Sequence, residues 1–322
     1  IKAYVPDLDV TAQEYTDAMT LTGTKVETFE KLDADLDKIV IGQIEKIEKI
    51  KGVDSVLIET QYEPCVVKES ETTDPNMATS SSMIGSSVAW ADGYTGAGSK
   101  VAIIDTGADT DHPSLNGAAY SYAVKGLGIT PVTAADYADK LEKLNALKKN
   151  GDLKASDLYV SAKIPFGFNY IDADLDVTHD NDKQGDHGSH VTGIAAGNRF
   201  IKNEDGSFSP ALDTALTQGV APDAQVFVMK VFGTNGGAKD SDYMAAIEDA
   251  ILLGADSVNL SLGSSVAGMA YDAAFSGMLE SLSSSGTVVT ISHDRYFLDR
   301  TVTRIIEILD GKAEFYSGNY SF

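Results

Sequence analysis

Residues 101–107 have the sequence Val-Ala-Ile-Ile-Asp-Thr-Gly, and this stretch decides the predicted fold. Its short run of apolar, mostly β-branched residues is typical of a buried strand, and Asp105 stands where that strand ends. Two similar runs follow at Gln225–Phe232 and Val258–Leu262, and a helical pattern at Ser241–Leu253 separates them. Strand, helix and strand in succession predict a parallel sheet covered by helices, and therefore an α/β fold.

The helix between the last two strands carries its own start and stop signals. Ser241 is a plausible N-cap and Gly254 a plausible stop, since these residue types satisfy or terminate helix ends. Earlier in the chain, Thr133–Lys154 is rich in Lys, Asp, Ala and Leu. This composition predicts a helical insertion at the surface, without site chemistry of its own.

Asp105 and a later histidine block are the candidate site residues. A carboxylate at the carboxyl end of a parallel strand lies where α/β proteins place their sites, although many strands end in Asp for reasons of turn geometry. The second segment, 185–197, has the sequence Gly-Asp-His-Gly-Ser-His-Val-Thr-Gly-Ile-Ala-Ala-Gly. It places His187 and His190 three apart at a predicted helix start, where backbone N–H groups are free. Glycines on both sides of His187 predict close approach of other backbone.

The histidine pair has two plainer interpretations. A zinc site is not favoured, because no Glu lies between the histidines and no third ligand is evident. Incidental histidines at a helix N-terminus remain the structural alternative.

Composition and charge restrict the classes of protein. The 322 residues include 48 acidic and 25 basic side chains, for a formal charge of -23. This excess argues against nucleic acid, whose phosphates require clustered Lys and Arg. The single cysteine excludes a disulfide scaffold and a multi-cysteine metal site, and no run of about 18 apolar residues predicts a membrane span.

The N-terminal 64 residues form a separate predicted unit of mixed structure. Helical patterns lie near Thr11–Thr20 and at Ile44–Ile50, and an alternating strand pattern follows at Asp54–Glu59. Residues 65–82 then lose periodicity and have linker composition, so we place a domain boundary there. Because the chain starts at Ile1 without a visible signal segment, it is expected to be part of a longer protein.

From about residue 90 to 291 the sequence resembles the subtilisin-like serine proteases, or subtilases. The Asp-Thr-Gly at 105–107 and the His-Gly-Ser-His-Val at 187–191 are similar to two of that family's three catalytic signatures, in the family's order. The lead-in at 89–96 and the long insertion look most like lactocepin-type cell-envelope proteinases. Further similarity lies in Gly-Val-Ala-Pro-Asp-Ala at 219–224, Val-Met-Lys-Val at 228–231 and Asn-Leu-Ser-Leu-Gly at 259–263.

The resemblance implies a serine endopeptidase and assigns roles to individual residues. Asp105 would hold the His187 imidazole in one tautomer, and His187 would act as general base and acid for a serine. His190 would be a structural neighbour. Leu260, Ser261, Leu262 and Gly263 would offer a backbone edge to an extended peptide substrate.

The resemblance also interprets the N-terminal unit and the location of the protein. Residues 1–64 look like an inhibitory propeptide of ferredoxin-like α+β fold, cleaved in the following linker, with an unrelated small α+β module as the alternative. The expected partners are a protein or peptide substrate and the chain's own propeptide. The family and the acidity together imply a secreted or cell-surface protein.

The sequence departs from the subtilase pattern at three places. No Gly-Thr-Ser-Met-Ala type segment supplies a nucleophile, and Ser264-Ser265-Val266-Ala267-Gly268-Met269-Ala270 has the wrong spacing. Where the family has Ala-Gly-Asn, with the Asn facing the oxyanion, residues 293–295 are His-Asp-Arg. Ser114 stands in His112-Pro113-Ser114-Leu115 where the family often has a calcium-serving Asp, so no cofactor is expected and calcium is doubtful.

The C-terminal residues resemble a different family. Ile291–Asp299, Ile305–Ile308 and Tyr316–Ser321 resemble segments of the ABC-F ATPases, in which the histidine matching His293 faces the nucleotide γ-phosphate. The chain contains no Gly-x-x-x-x-Gly-Lys-Ser/Thr phosphate loop, so this piece has no expected nucleotide site. A divergent subtilase strand and helix is the alternative.

The chain has the following predicted organisation. The subtilase catalytic part, incomplete, spans 83–291 and the ABC-F-like part spans 292–322, with a join near 286–292 that is acceptable in both families. The hypothesis is therefore a chimera in which proteolysis is lost. One alternative is a non-catalytic module that binds peptides without cutting them, and the other is an ATPase-related protein, which the missing phosphate loop disfavours.

Overall fold

The fold comes from a computed structural model that describes residues 51, 61–64, 81, 84–137 and 139–263, and the backbone of 304–309 and 312–317. The chain divides into two compact units, Ile1–Leu57 and Ile58–Phe322. The predicted helices at 11–20 and 44–50, the strand at 54–59, nearly all of the linker and His293 lie outside the described residues. Residues 61–64 belong to the second unit, although the sequence grouped them with the first.

The described elements alternate between strands and helices over the central part of the chain. The strands are β1 Glu63–Pro64, β2 Lys100–Asp105, β3 Phe166–Asn169, β4 Phe200–Lys202, β5 Phe208–Pro210, β6 Gln225–Lys230, β7 Ser257–Leu260, β8 Leu262–Gly263, β9 Arg304–Leu309 and β10 Lys312–Ser317. The α-helices are α1 Ser86–Ala91, α2 Gly117–Lys125, α3 Asn145–Lys149, α4 His187–Ala196, α5 Ala211–Thr214 and α6 Asp240–Leu253. Short 3₁₀ turns lie at Pro113–Leu115, Ala134–Tyr137, Leu141–Lys143 and Ala155–Leu158.

The predicted parallel sheet is confirmed. Four strands pair in the order β3-β6-β2-β7, and each neighbouring pair is parallel. In this register Asp105 lies level with Lys230 of β6, and Ile104 lies level with Leu260 of β7. Strand β3 was missed by the sequence interpretation, because Phe-Gly-Phe-Asn lacks the β-branched residues that marked the other strands.

The two faces of the sheet are covered by different helices. Ala102 and Ile104 of β2 belong to the same buried cluster as Ile247 of α6, whereas Ile103 belongs to a second cluster with Ala196 of α4. This alternation follows from the strand geometry, which points successive side chains to opposite faces. Helix α6 therefore packs on one face of the sheet and α4 on the other.

Helix α6 begins one residue earlier than predicted. Lys239 is its N-cap residue and Ser241 lies inside the helix, so the assignment of Ser241 as N-cap was wrong. The stop was correct, because Gly254 ends the helix in the left-handed region, with φ of 78°.

The insertion at 133–154 is not one surface helix. It consists of two 3₁₀ turns and the short helix α3, and Tyr137, Leu144 and Ala146 are buried. Asp249 of α6 accepts hydrogen bonds from the backbone N–H groups of Asn145 and Ala146, at 2.7 and 2.9 Å. The insertion is therefore part of the core on the α6 face.

The described C-terminal backbone forms a hairpin. Strands β9 and β10 pair antiparallel with one another, from Arg304 opposite Ser317 to Leu309 opposite Lys312. Among the residues that the structure describes, no helix has the length and apolar character needed to cross a bilayer.

Candidate active site

Asp105 and His187, which are 82 positions apart in sequence, form a hydrogen-bonded pair. Nδ1 of His187 lies 2.8 Å from Oδ1 of Asp105, whose side chain is buried, while the imidazole retains 14% of its exposure. An ionised carboxylate can only accept, so Nδ1 of His187 donates the proton in this hydrogen bond. The backbone N–H of Thr106 donates to the same carboxylate oxygen at 2.7 Å and fixes its orientation.

The pair is held by direct contact between the end of β2 and the start of α4. The N–H of Gly188 donates to Oγ1 of Thr106 at 2.9 Å. A Cβ at position 188 would lie 2.1 Å from the carbonyl oxygen of Gly107, so only glycine permits this approach. The predicted role of glycine is confirmed after His187. It is wrong for Gly185, which has no neighbour within 4 Å at its Cβ position and serves the turn through its φ of 78°.

Lys230 fastens the loop that leads into His187, and the sequence did not single it out. Its buried ammonium group donates to Oδ2 of Asp182 and to the carbonyl of Thr178. Gln184 of the same loop donates to the carbonyl of Gly233 at 3.1 Å. Lys230 ends β6 and is level with Asp105 at the end of β2. Strand β6 therefore positions the loop before His187 beside the Asp105 carboxylate.

The four predicted substrate-binding residues occupy the end of the sheet and a short strand beyond it. Leu260 ends β7, and Ser261 is buried, with its Oγ 3.0 Å from Nδ2 of Asn259. Leu262 and Gly263 form β8, which pairs antiparallel with β1. The edge predicted to receive an extended peptide is therefore paired with residues 63–64 of the chain itself.

A second backbone segment flanks β1 on its other side. The N–H of Tyr62 donates to the carbonyl of Ala238 at 2.7 Å, and Gln61 forms an antiparallel bridge with Lys239. Residues 61–64 therefore occupy a groove between 238–239 and β8. Sequence reasoning missed the contacts of Tyr62 with residues 237 and 238, because no local pattern links such distant positions.

The remaining candidates are His190 and Ser114. His190 is exposed and lines a cavity of about 620 Å³ together with His112, and the cavity lining does not include His187. Oγ of Ser114 lies 2.6 Å from Nδ1 of His112. Within the described part of the chain, no three His, Cys, Asp or Glu side chains are grouped so that they could hold a metal ion.

A carboxylate–imidazole pair at the carboxyl end of a parallel sheet, beside a strand edge that holds an extended segment, is the arrangement of a serine protease of the subtilisin class. Residues 96–294, more than half of the chain, match the model of the subtilase family, and the chain belongs to that family.

Several curated proteinases are similar to the chain. It is 31% identical over 260 residues to the PII-type proteinase of Lacticaseibacillus paracasei and to the PI-type proteinase of Lactococcus lactis subsp. cremoris. These alignments cover 79% of this chain and 12% of each relative. The minor extracellular protease Vpr of Bacillus subtilis is 31% identical over 241 residues, which are 71% of this chain and 22% of that protein. The chain therefore spans a small fraction of each relative's length.

Proposed function

We propose that this chain carries the acid–base part and the peptide-binding groove of a serine endopeptidase that acts on proteins. The observation that carries the proposal is the 2.8 Å contact between Nδ1 of His187 and Oδ1 of Asp105. With its Nδ1 side oriented by Asp105, the His187 imidazole would take a proton from a nucleophile and return it to the leaving amine. Asp105 stabilises the imidazolium that forms in between.

The chain itself is expected not to cleave peptide bonds. The 322 residues lack a nucleophile segment of the family type, and His-Asp-Arg at 293–295 replaces the segment that ends in the oxyanion Asn. Loss of one oxyanion donor reduces the rate by about 10²–10³, and loss of the nucleophile removes covalent catalysis. The activity that remains is peptide binding, which is supported by the seating of 61–64 in the groove.

We assign residues 1–64 to an inhibitory propeptide, followed by the linker at 65–82. Supporting this, 61–64 lie between 238–239 and β8, where a peptide substrate would be held. A secreted or cell-surface location is proposed from the acidic composition and from the word extracellular in the name of the Bacillus subtilis relative.

The chimera hypothesis concerns the C-terminal residues 292–322. The subtilase match ends at residue 294, and the ABC-F resemblance, with His293 in the switch position, begins at about the same place. Sequencing one uninterrupted DNA molecule through codons 280–300 tests the join. An intact expressed gene with the same junction would overturn an assembly artefact.

Casein hydrolysis and fluorophosphonate labelling test the endopeptidase assignment. The purified chain is expected to show neither. Its own residues 61–64 fill the groove, so binding of a Gln-Tyr-Glu-Pro peptide is measured on Tyr62→Pro, which lacks the N–H that pairs with Ala238 and should let the peptide displace them. His187→Ala is the control for any hydrolysis observed. Cleavage that disappears in His187→Ala would show that a nucleophile is present and would overturn the predicted loss of activity. Absence of peptide binding would overturn the groove.

A further inference from the structure

We infer that Asp240 and Tyr243 form a subsite that selects a tyrosine side chain in an extended peptide bound along β8. This inference rests on the proposed peptide-binding groove and adds the chemical class of side chain that it prefers. The observation behind it is Tyr62, which retains only 4% of its exposure although it belongs to a short extended segment.

Both ends of the Tyr62 side chain are recognised. Its hydroxyl donates to Oδ1 of Asp240 at 2.8 Å. Its ring meets the ring of Tyr243 edge to face, with centroids 5.2 Å apart and an interplanar angle of 90°. An edge-to-face pair contributes beyond the area that it buries, and a carboxylate acceptor makes a stronger hydrogen bond than a neutral one.

Tyr243 completes the polar end of the subsite. Its hydroxyl donates to the same Oδ1 of Asp240 at 3.0 Å. Burial, followed by the nearby Tyr62 and Asp240, raises the pKa of the Tyr243 hydroxyl well above its ordinary value. Tyr243 therefore stays protonated and holds the carboxylate in place for a second phenolic donor.

Main-chain hydrogen bonds set the register of the segment and so place the Tyr62 side chain in this subsite. These bonds do not depend on the other side chains of the peptide. Tyr62 N–H pairs with the carbonyl of Ala238, while Glu63 and Pro64 pair with Gly263 and Leu262. A Cβ at Gly237 would lie 2.3 Å from the carbonyl oxygen of Tyr62, so glycine is required for this seating. Strand addition supplies affinity for any extended peptide, and pockets for alternate side chains supply specificity.

The expected discrimination is tyrosine over phenylalanine. Phenylalanine keeps the ring contact but leaves the half-buried Asp240 carboxylate without one donor. A hydrogen bond to a charged group of this kind corresponds to about tenfold in affinity. Aliphatic side chains lose the ring contact as well and are expected to bind more weakly still.

Peptide binding in trans tests the inference on the full chain carrying Tyr62→Pro. This change removes the chain's own ring from the subsite and the N–H that pairs with Ala238, so the labelled peptide can displace residues 61–64. Fluorescein-labelled Gln-Tyr-Glu-Pro and Gln-Phe-Glu-Pro are titrated by fluorescence anisotropy. The tyrosine peptide is expected to bind about tenfold more tightly. Adding Asp240→Ala should bring the ratio to about one, whereas Asp240→Asn, which keeps an acceptor, should retain part of it, and Asp213→Ala, an exposed charge-matched control, should leave it unchanged.

Hydrogen exchange in cis gives a second measurement on the otherwise unaltered chain. Tyr62→Phe and Asp240→Ala should each accelerate exchange of the amide at position 62 by about tenfold, and the double variant should be no faster than either. Equal binding of the two peptides, or exchange unaffected by Tyr62→Phe, would contradict the tyrosine-selective subsite. The proposed peptide-binding groove would still stand. Failure of both peptides to bind would instead overturn the proposed peptide-binding function.

Discussion

Replacement of Gly188 by alanine is expected to force the acid–base pair apart while leaving both of its members in the sequence. A Cβ at position 188 would lie 2.1 Å from the carbonyl oxygen of Gly107 and 3.1 Å from the Cβ of Asp105. The start of α4 and the end of β2 must therefore separate by about 1 Å before the contact becomes an ordinary van der Waals one. The same movement takes Nδ1 of His187 from 2.8 Å out of hydrogen-bonding range of the carboxylate.

The magnitude follows from two contributions at this contact. Overpacking of a close-packed site destabilises by about 1–3 kcal/mol, and a hydrogen bond to a charged group contributes about 1.5–3 kcal/mol. Because the two losses arise from one displacement, we expect the free energy of unfolding to fall by about 3 kcal/mol.

Urea unfolding and NMR measure the two effects separately. Trp90, the single tryptophan, donates from its indole to the carbonyl of Val220, so its fluorescence reports unfolding of this part of the chain. The downfield proton signal of His187 Nδ1 reports the bond to Asp105. Gly193→Ala is the matched control, because it lies in the same helix with nothing within 4 Å of its Cβ position. This control should gain about 0.5–1 kcal/mol from helix propensity. Wild-type stability and an unchanged imidazole signal in Gly188→Ala would refute the steric argument.

Three further perturbations have expected outcomes. Asp105→Asn should move the imidazole proton of His187 from Nδ1 to Nε2, because an amide can donate to Nδ1; ¹⁵N shifts would show no tautomer change if the carboxylate were not responsible. Asp249→Ala leaves two backbone N–H groups and the buried hydroxyl of Tyr170 unpaired and should lower the free energy of unfolding by about 4 kcal/mol, against less than about 0.5 kcal/mol for an exposed aspartate. Burial lowers the pKa of Lys163 to about 7, below its ordinary value near 10.5. Between these two pH values the unfolded chain binds one more proton than the folded chain, so the free energy of unfolding should rise with pH. Lys163→Met should remove that part of the slope in urea unfolding measured from pH 7 to 10, and an identical slope in both proteins would contradict it.

Some of the site could be predicted because the relevant signals are local. A β-branched run ending in Asp105 and a helix start carrying His187 each depend on a few consecutive residues. The close approach at Gly188 was predictable for the same reason. A glycine beside a candidate catalytic residue indicates that another backbone segment packs where a Cβ would otherwise lie. The insertion at 133–154 was misjudged, because helix propensity says nothing about the buried carboxylate of Asp249 that holds it in the core.

The sequence by itself determined three of the four strands of the parallel sheet, the helix that ends at Gly254 and the two residues of the acid–base pair, because periodicity and glycine position act over short distances. Only the tertiary structure decided what lies beside them. It set the strand register in which Asp105 lies opposite Lys230. It also brought Tyr62, in the groove along β8, into hydrogen-bonding contact with Asp240, 178 positions away. Contacts of that separation depend on main-chain pairing and packing between distant segments, which no local pattern of residues encodes.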